Sequence, residues 1–205
     1  MLVVTKQAHS EALRERMDTG GCAFQFVVLA LEGDATVDET LHRQALWAMH
    51  EQLMAELHAW HRQLVANPAY ANQPAPSIDW HPERALARRL ADDEVAGLRR
   101  TGQSFYRAFR KPPYDTRFAG GEAEAQALFH EWLDLLGLVD GEQPEVIDWT
   151  SNLSADGISK ALDAASSEPW SDYFDAGLEW WGVWCLTIWN PQHRTLSVVV
   201  ASTTD

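Results

Sequence analysis

The apolar positions of this chain cluster most densely near its C-terminal end. Trp180 to Trp189 and Thr195 to Ala201 are runs of β-branched and aromatic residues, separated by Asn190-Pro191-Gln192-His193. That pattern predicts a hairpin with strands at 181–189 and 195–201. Trp181, Val183, Cys185 and Trp189 would face one side of its first strand, and Trp180, Trp184, Leu186 and Ile188 the other. Neither set is polar, so this strand is expected to be covered on both faces. A second dense run, Cys22 to Leu31, predicts a strand near 22–31 that ends at Glu32-Gly33-Asp34. Residues 103–109, closed by Lys111-Pro112-Pro113, are read as a further strand.

Elsewhere the period changes to that of a helix. Leu46, Met49, Leu53, Leu57, Trp60 and Leu64 recur every three or four residues, which predicts one long helix near 37–66. Thr36-Val37-Asp38-Glu39 reads as its capping box, with Thr36 as N-cap. Further helices are expected near 83–100, 121–136 and 154–165, with a short one over 5–17. In the 121–136 segment Glu122 and Glu124 suit the N-terminal dipole, and Gly137 stands where a C-cap glycine belongs. A proline-rich loop spans 67–82 and an acidic loop runs from Asp140 to Asp148. The expected architecture is α+β, with helices at one face of a small, mostly antiparallel sheet. Pairing of the late hairpin with or near the 22–31 strand would tie the two ends together and make residues 1–205 a single domain.

Charge changes the picture. From Phe118 onward there are 15 Asp and Glu against two basic residues, Lys160 and Arg194, a difference of −13. The same part holds seven of the ten Trp. Within the near-neutral remainder, 84–117 carries nine basic and four acidic residues, net +5. A net charge of −14 repels nucleic acid and anionic membrane and favours cationic partners. Read alone, Arg99, Arg100, Arg107, Arg110 and Lys111 among Phe105, Tyr106 and Phe109 resemble a single-strand nucleic-acid platform. The overall charge speaks against that use. Neutralisation of the acidic region, within the fold or across a homodimer, is the simpler reading.

Specific chemistry is sparse. The long helix carries His42, His50, His58 and His61, but no i, i+4 pair with a carboxylate, so no metal site is assigned. Cys22 after Gly20-Gly21 lacks a neighbouring activator in the sequence, and Cys185 reads as a small buried thiol. Asp148, flanked by Ile147 and Trp149, is the most distinctive single acid, and Trp80-His81-Pro82 is the most distinctive histidine context. No phosphate loop, dinucleotide fingerprint, nucleophile elbow or zinc-protease motif is present, so no catalytic residue and no cofactor are assigned. A basic n-region with an apolar stretch is absent, as is a run of 18 apolar residues. A cytoplasmic protein that crosses no membrane is therefore expected.

The candidate contact residues form two groups. Asp140, Glu142, Glu145, Asp148 and Trp149 make the first; Glu168, Trp170, Asp172, Tyr173, Asp175 and Glu179 make the second. Aromatic anchors within an acidic surround suit capture of a cationic protein. No stretch reproduces a family motif. By size, charge and missing chemistry the chain is analogous to bacterial immunity proteins, which occlude a toxin or another nucleic-acid-acting protein. Two alternatives stay open: a hydrolase-like enzyme with a Trp-lined pocket near the C-terminal hairpin, using Asp148 or His81, and a homo-oligomeric scaffold.

Overall fold

The computed structural model describes residues 1–4, 8–34, 36–111, 118–153, 169–179 and 182–202, and of Val4, Ala8, His9 and Glu179 the backbone alone. Its centre is a six-stranded sheet in the order β1-β2-β6-β5-β4-β3, with every neighbouring pair antiparallel. The strands are β1 (Leu2–Val4), β2 (Gln25–Leu31), β3 (Arg88–Arg89), β4 (Glu145–Asp148), β5 (Val183–Asn190) and β6 (Thr195–Ser202). β6 lies between β2 and β5, so the hairpin does pair with the early strand. The helices are α1 (Ala8–Thr19), α2 (Glu39–Val65), α3 (Asp92–Leu98), α4 (Ser104–Arg110) and α5 (Gly121–Leu136), with a short turn of helix at Asp175–Glu179. The fold is α+β.

Both faces of the sheet are covered, not one. On one face α1, α4 and α5 bury Leu13, Phe105, Phe109, Phe129 and Trp132 against Phe26, Leu186, Ile188 and Val199. On the other, α2 buries Ala45, Leu46, Met49 and Leu53 against Val27, Cys185, Val198 and Val200, with Trp80, Trp149, Trp170 and Phe174 completing the layer. The cause is the strand composition: β5 and β6 are apolar at both odd and even positions, so each face needs its own cover. Trp184, Leu186 and Ile188 pack on the first face, and Val183, Cys185 and Trp189 on the second, as the alternation requires. Trp180 and Trp181 lie outside the described residues, as does the helix expected at 154–165.

Four local expectations change. Residues 103–109 form no strand; α4 occupies 104–110, because Phe105, Tyr106 and Phe109 share one side of a helix that buries against α5. Their rings meet Trp132 and Phe129 at centroid distances of 4.9–6.1 Å. The helix expected over 83–100 is broken into a 3-10 turn at Pro82–Arg84, the strand β3 and α3. Arg88 and Arg89 are extended because they pair with Asp148 and Ile147 of β4. The acidic loop ends earlier than expected, since Glu145–Asp148 is itself a strand. Finally, α2 is capped by Asp38, whose side chain accepts from the Leu41 amide at 3.0 Å, and not by Thr36. α5 spans its expected residues and ends at Gly137 with φ 91°, the left-handed conformation that suits glycine.

Candidate functional site

The first acidic group sits at the β3–β4 edge, and basic side chains of the 84–117 segment reach it. Arg88 donates to Asp148 at 2.8 Å and to Glu94 at 2.7 Å. Arg89 pairs with Glu145 at 2.5 Å, and Arg99 bridges Asp134 and Asp140 at 3.1 and 2.7 Å. Glu142 accepts from the Asn190 side-chain amide at 2.5 Å and pairs with His193 at 3.1 Å. Asp148 also takes the Thr150 amide and hydroxyl on its other oxygen, at 2.9 and 2.7 Å. Each of the four carboxylates thus has a partner within the chain. Glu94 is held below the usual carboxylate range by the Ala91 amide and by Arg88. Phe105, Tyr106 and Phe109 point into the core, so the basic segment presents none of them for base stacking.

The second group is differently placed. Trp170 and Phe174 are fully buried and Tyr173 is half-buried; Asp172 and Asp175 are exposed. Asp172 accepts from the Asp79 backbone amide at 2.9 Å, which ties its carboxylate to the loop that carries exposed Asp79. Trp80 bridges Ser171, and the His81 amide donates to the Trp170 carbonyl at 2.8 Å, joining this segment to the 78–82 loop. Asp79, Asp172 and Asp175 have no Lys or Arg partner among the described residues. Glu168 lies outside the described residues, and so does the side chain of Glu179.

A column of rings runs out of the core beside these acids. Trp170 meets Trp80 edge-on at 4.8 Å, Trp80 stacks on His50 at 5.6 Å, and His50 meets Trp47 edge-on at 5.6 Å. Trp47 is 44% exposed while Trp170 is 0% exposed, so the column ends in a ring at the surface, packed against His50. Trp47 and Asp79 were not among the sequence candidates, and His50 was weighed only as a metal ligand. A signal existed: Trp47 lies off the apolar stripe of α2, and an off-stripe Trp on an amphipathic helix must face outward. Trp149, expected at a contact surface, is instead buried, donating from Nε1 to the Thr187 hydroxyl at 2.8 Å. The same hydroxyl lies 2.7 Å from Nδ1 of buried His42.

No protein-family model and no curated protein matches this chain.

The remaining reactive groups are dispersed. His42 is in the core, His50 is in the ring column, His61 contacts the Gln73 carbonyl and His58 is exposed. Among the described residues no three His, Cys, Asp or Glu side chains converge as metal ligands. Cys22 is buried and its thiol is pushed up to about 12, chiefly by burial; Cys185, wholly buried, is pushed up as well. His81 pairs with Glu83 at 3.1 Å, away from Asp148. Beside the free end of β5 lies a cleft of about 500 Å³, where Asp148, Thr150 and Arg88 meet Trp184, α3 and the start of α4.

Proposed function

We propose that this chain is a binding protein that captures a basic protein partner, and that its contact face is the aromatic column around Trp47 with Asp79, Asp172 and Asp175. The observation that carries this reading is the exposed Trp47, linked through His50 and Trp80 to a loop whose neighbouring acids, Asp79, Asp172 and Asp175, have no Lys or Arg partner among the described residues. A fixed aromatic ring loses little entropy on binding, and unpaired acids speed encounter with a cation-rich surface. Asp140, Glu142, Glu145 and Asp148 contribute less, because their charge is already spent inside the molecule. Occlusion of a cationic toxin in the cytoplasm, in the manner of an immunity protein, fits this chemistry, and two buried free thiols suit a reducing compartment.

The test uses the protein immobilised against extract of its own cells. The wild type is expected to retain a basic protein at physiological salt. Trp47→Ala with Asp172→Lys and Asp175→Lys should lose it, while Asp140→Asn with Glu142→Gln should keep it. Loss of an anchoring Trp costs about 2 kcal/mol or more of binding in a true hot spot. Equal retention by all three folded proteins would end the proposal.

The enzyme alternative draws support from the cleft, where a Trp wall meets several titratable groups. Asp148, however, takes three donors on its two oxygens, an arrangement suited to holding structure more than to moving a proton.

A further inference from the structure

The charges in the cleft beside β5 do not all cancel, and the remainder has a definite chemistry. Arg88, Glu94 and Asp148 satisfy one another through the 2.7 and 2.8 Å bonds of a single guanidinium. Two lining charges are left, Asp93 and Arg100, and neither side chain has a hydrogen bond or ion pair among the described residues. Asp93 and Gly97 stand one turn apart on α3, and Arg100 follows just past its C-cap Arg99; all three line the cleft. Between them the floor is apolar, made by Leu90, Leu98, Phe105 and Leu186, with Trp184 as a wall. Gly97 keeps the middle of the trough open: a Cβ built there would meet nothing within 4 Å.

We infer that this cleft binds a small zwitterion, a free amino acid or dipeptide with an apolar side chain. Its ammonium group would pair with Asp93, its carboxylate with Arg100, and its side chain would lie on the apolar floor against Trp184. A purely cationic ligand would leave Arg100 facing it, and a purely anionic one Asp93; a zwitterion answers both. The inference stands apart from partner capture, which uses the opposite face of the sheet.

The probes are L-phenylalanine and glycyl-L-phenylalanine, with N-acetyl-L-phenylalanine and L-phenylalanine amide as controls that lack one charge each, all titrated by calorimetry. One or both zwitterions should bind, and the stronger of the two identifies the source as amino acid or dipeptide. Each control should bind about tenfold or more weakly, the loss expected for one unanswered charge. Arg100→Gln should remove the advantage over the amide, and Asp93→Asn the advantage over the acetyl compound. Gly97→Leu should abolish binding by filling the trough while the protein stays folded, which circular dichroism would show. No binding of either zwitterion at millimolar concentration, or binding indifferent to these three variants, overturns the inference.

Discussion

The two acidic groups look alike in the sequence and differ in the molecule. Around β4, each carboxylate is answered by the chain itself: Arg88 on Asp148, Arg89 on Glu145, Arg99 on Asp140, Asn190 and His193 on Glu142. Around Trp80, Asp79 and Asp172 are joined by one backbone-amide hydrogen bond, and neither has a Lys or Arg partner among the described residues. Their rings differ in the same sense, since Trp149 is locked in the core while the Trp170–Trp80–His50 column delivers Trp47 to the surface. Net charge therefore measures a chain's composition, and what a partner meets is the part that folding leaves unspent.

The sharpest way to test the division between buried and displayed rings is to remove one of each. Trp170→Ala deletes a fully buried indole and its bond to the Trp149 carbonyl, and is expected to cost about 3–5 kcal/mol in chemical denaturation. Trp47→Ala should cost under about 1 kcal/mol, as at other half-exposed positions. Comparable losses would mean that Trp47 is a core residue and remove the anchor from the proposed contact face.

A slightly smaller effect belongs to pH. Burial, reinforced by Arg89 and opposed by Asp38 and Glu39, pushes His42 down to about 4 from 6.5. Its Nδ1 contacts the Thr187 hydroxyl, and burial keeps the ring neutral although Nε2 lies 3.9 Å from Glu145. The folded state then binds fewer protons than the unfolded chain between these values, and stability falls as pH drops from 6.5 toward 4. The shift corresponds to about 3 kcal/mol. His42→Gln should flatten that part of the stability profile, measured by urea unfolding across the range. An unchanged slope would show that His42 is not the source of the loss in that range.

How much of this was legible depended on the range of the forces involved. α2, α5 and the C-terminal hairpin follow from patterns sustained over many residues, where periodicity is decisive. α4 misled because Phe105, Tyr106 and Phe109 favour strands intrinsically, while their spacing, once Trp132 and Phe129 are opposite, suits a helix. β3 was invisible locally: Arg88 and Arg89 are extended only because Asp148 and Ile147, some sixty residues later, lie beside them. The candidate contact residues suffered for the same reason. Position in the sequence showed which acids were clustered, and not which had an arginine waiting. Trp47 alone could have been found, from its place off the α2 stripe.

The smallest expected effects separate the two acidic groups most directly. Arg88→Gln leaves Asp148, whose side chain is only 14% exposed, with Thr150 as its remaining donor, and should cost about 1–2 kcal/mol. Asp172→Asn with Asp175→Asn retains an acceptor for the Asp79 amide and removes two unanswered charges from a molecule of net charge −14. Stability should change by no more than about 0.5 kcal/mol, in the stabilising direction. The gain should shrink as salt rises, because screening weakens the repulsion that the substitutions relieve. A loss larger than that of Arg88→Gln would show that Asp172 and Asp175 hold the fold together as Asp148 does. The proposed contact face would then keep only Asp79 of its three unpaired acids.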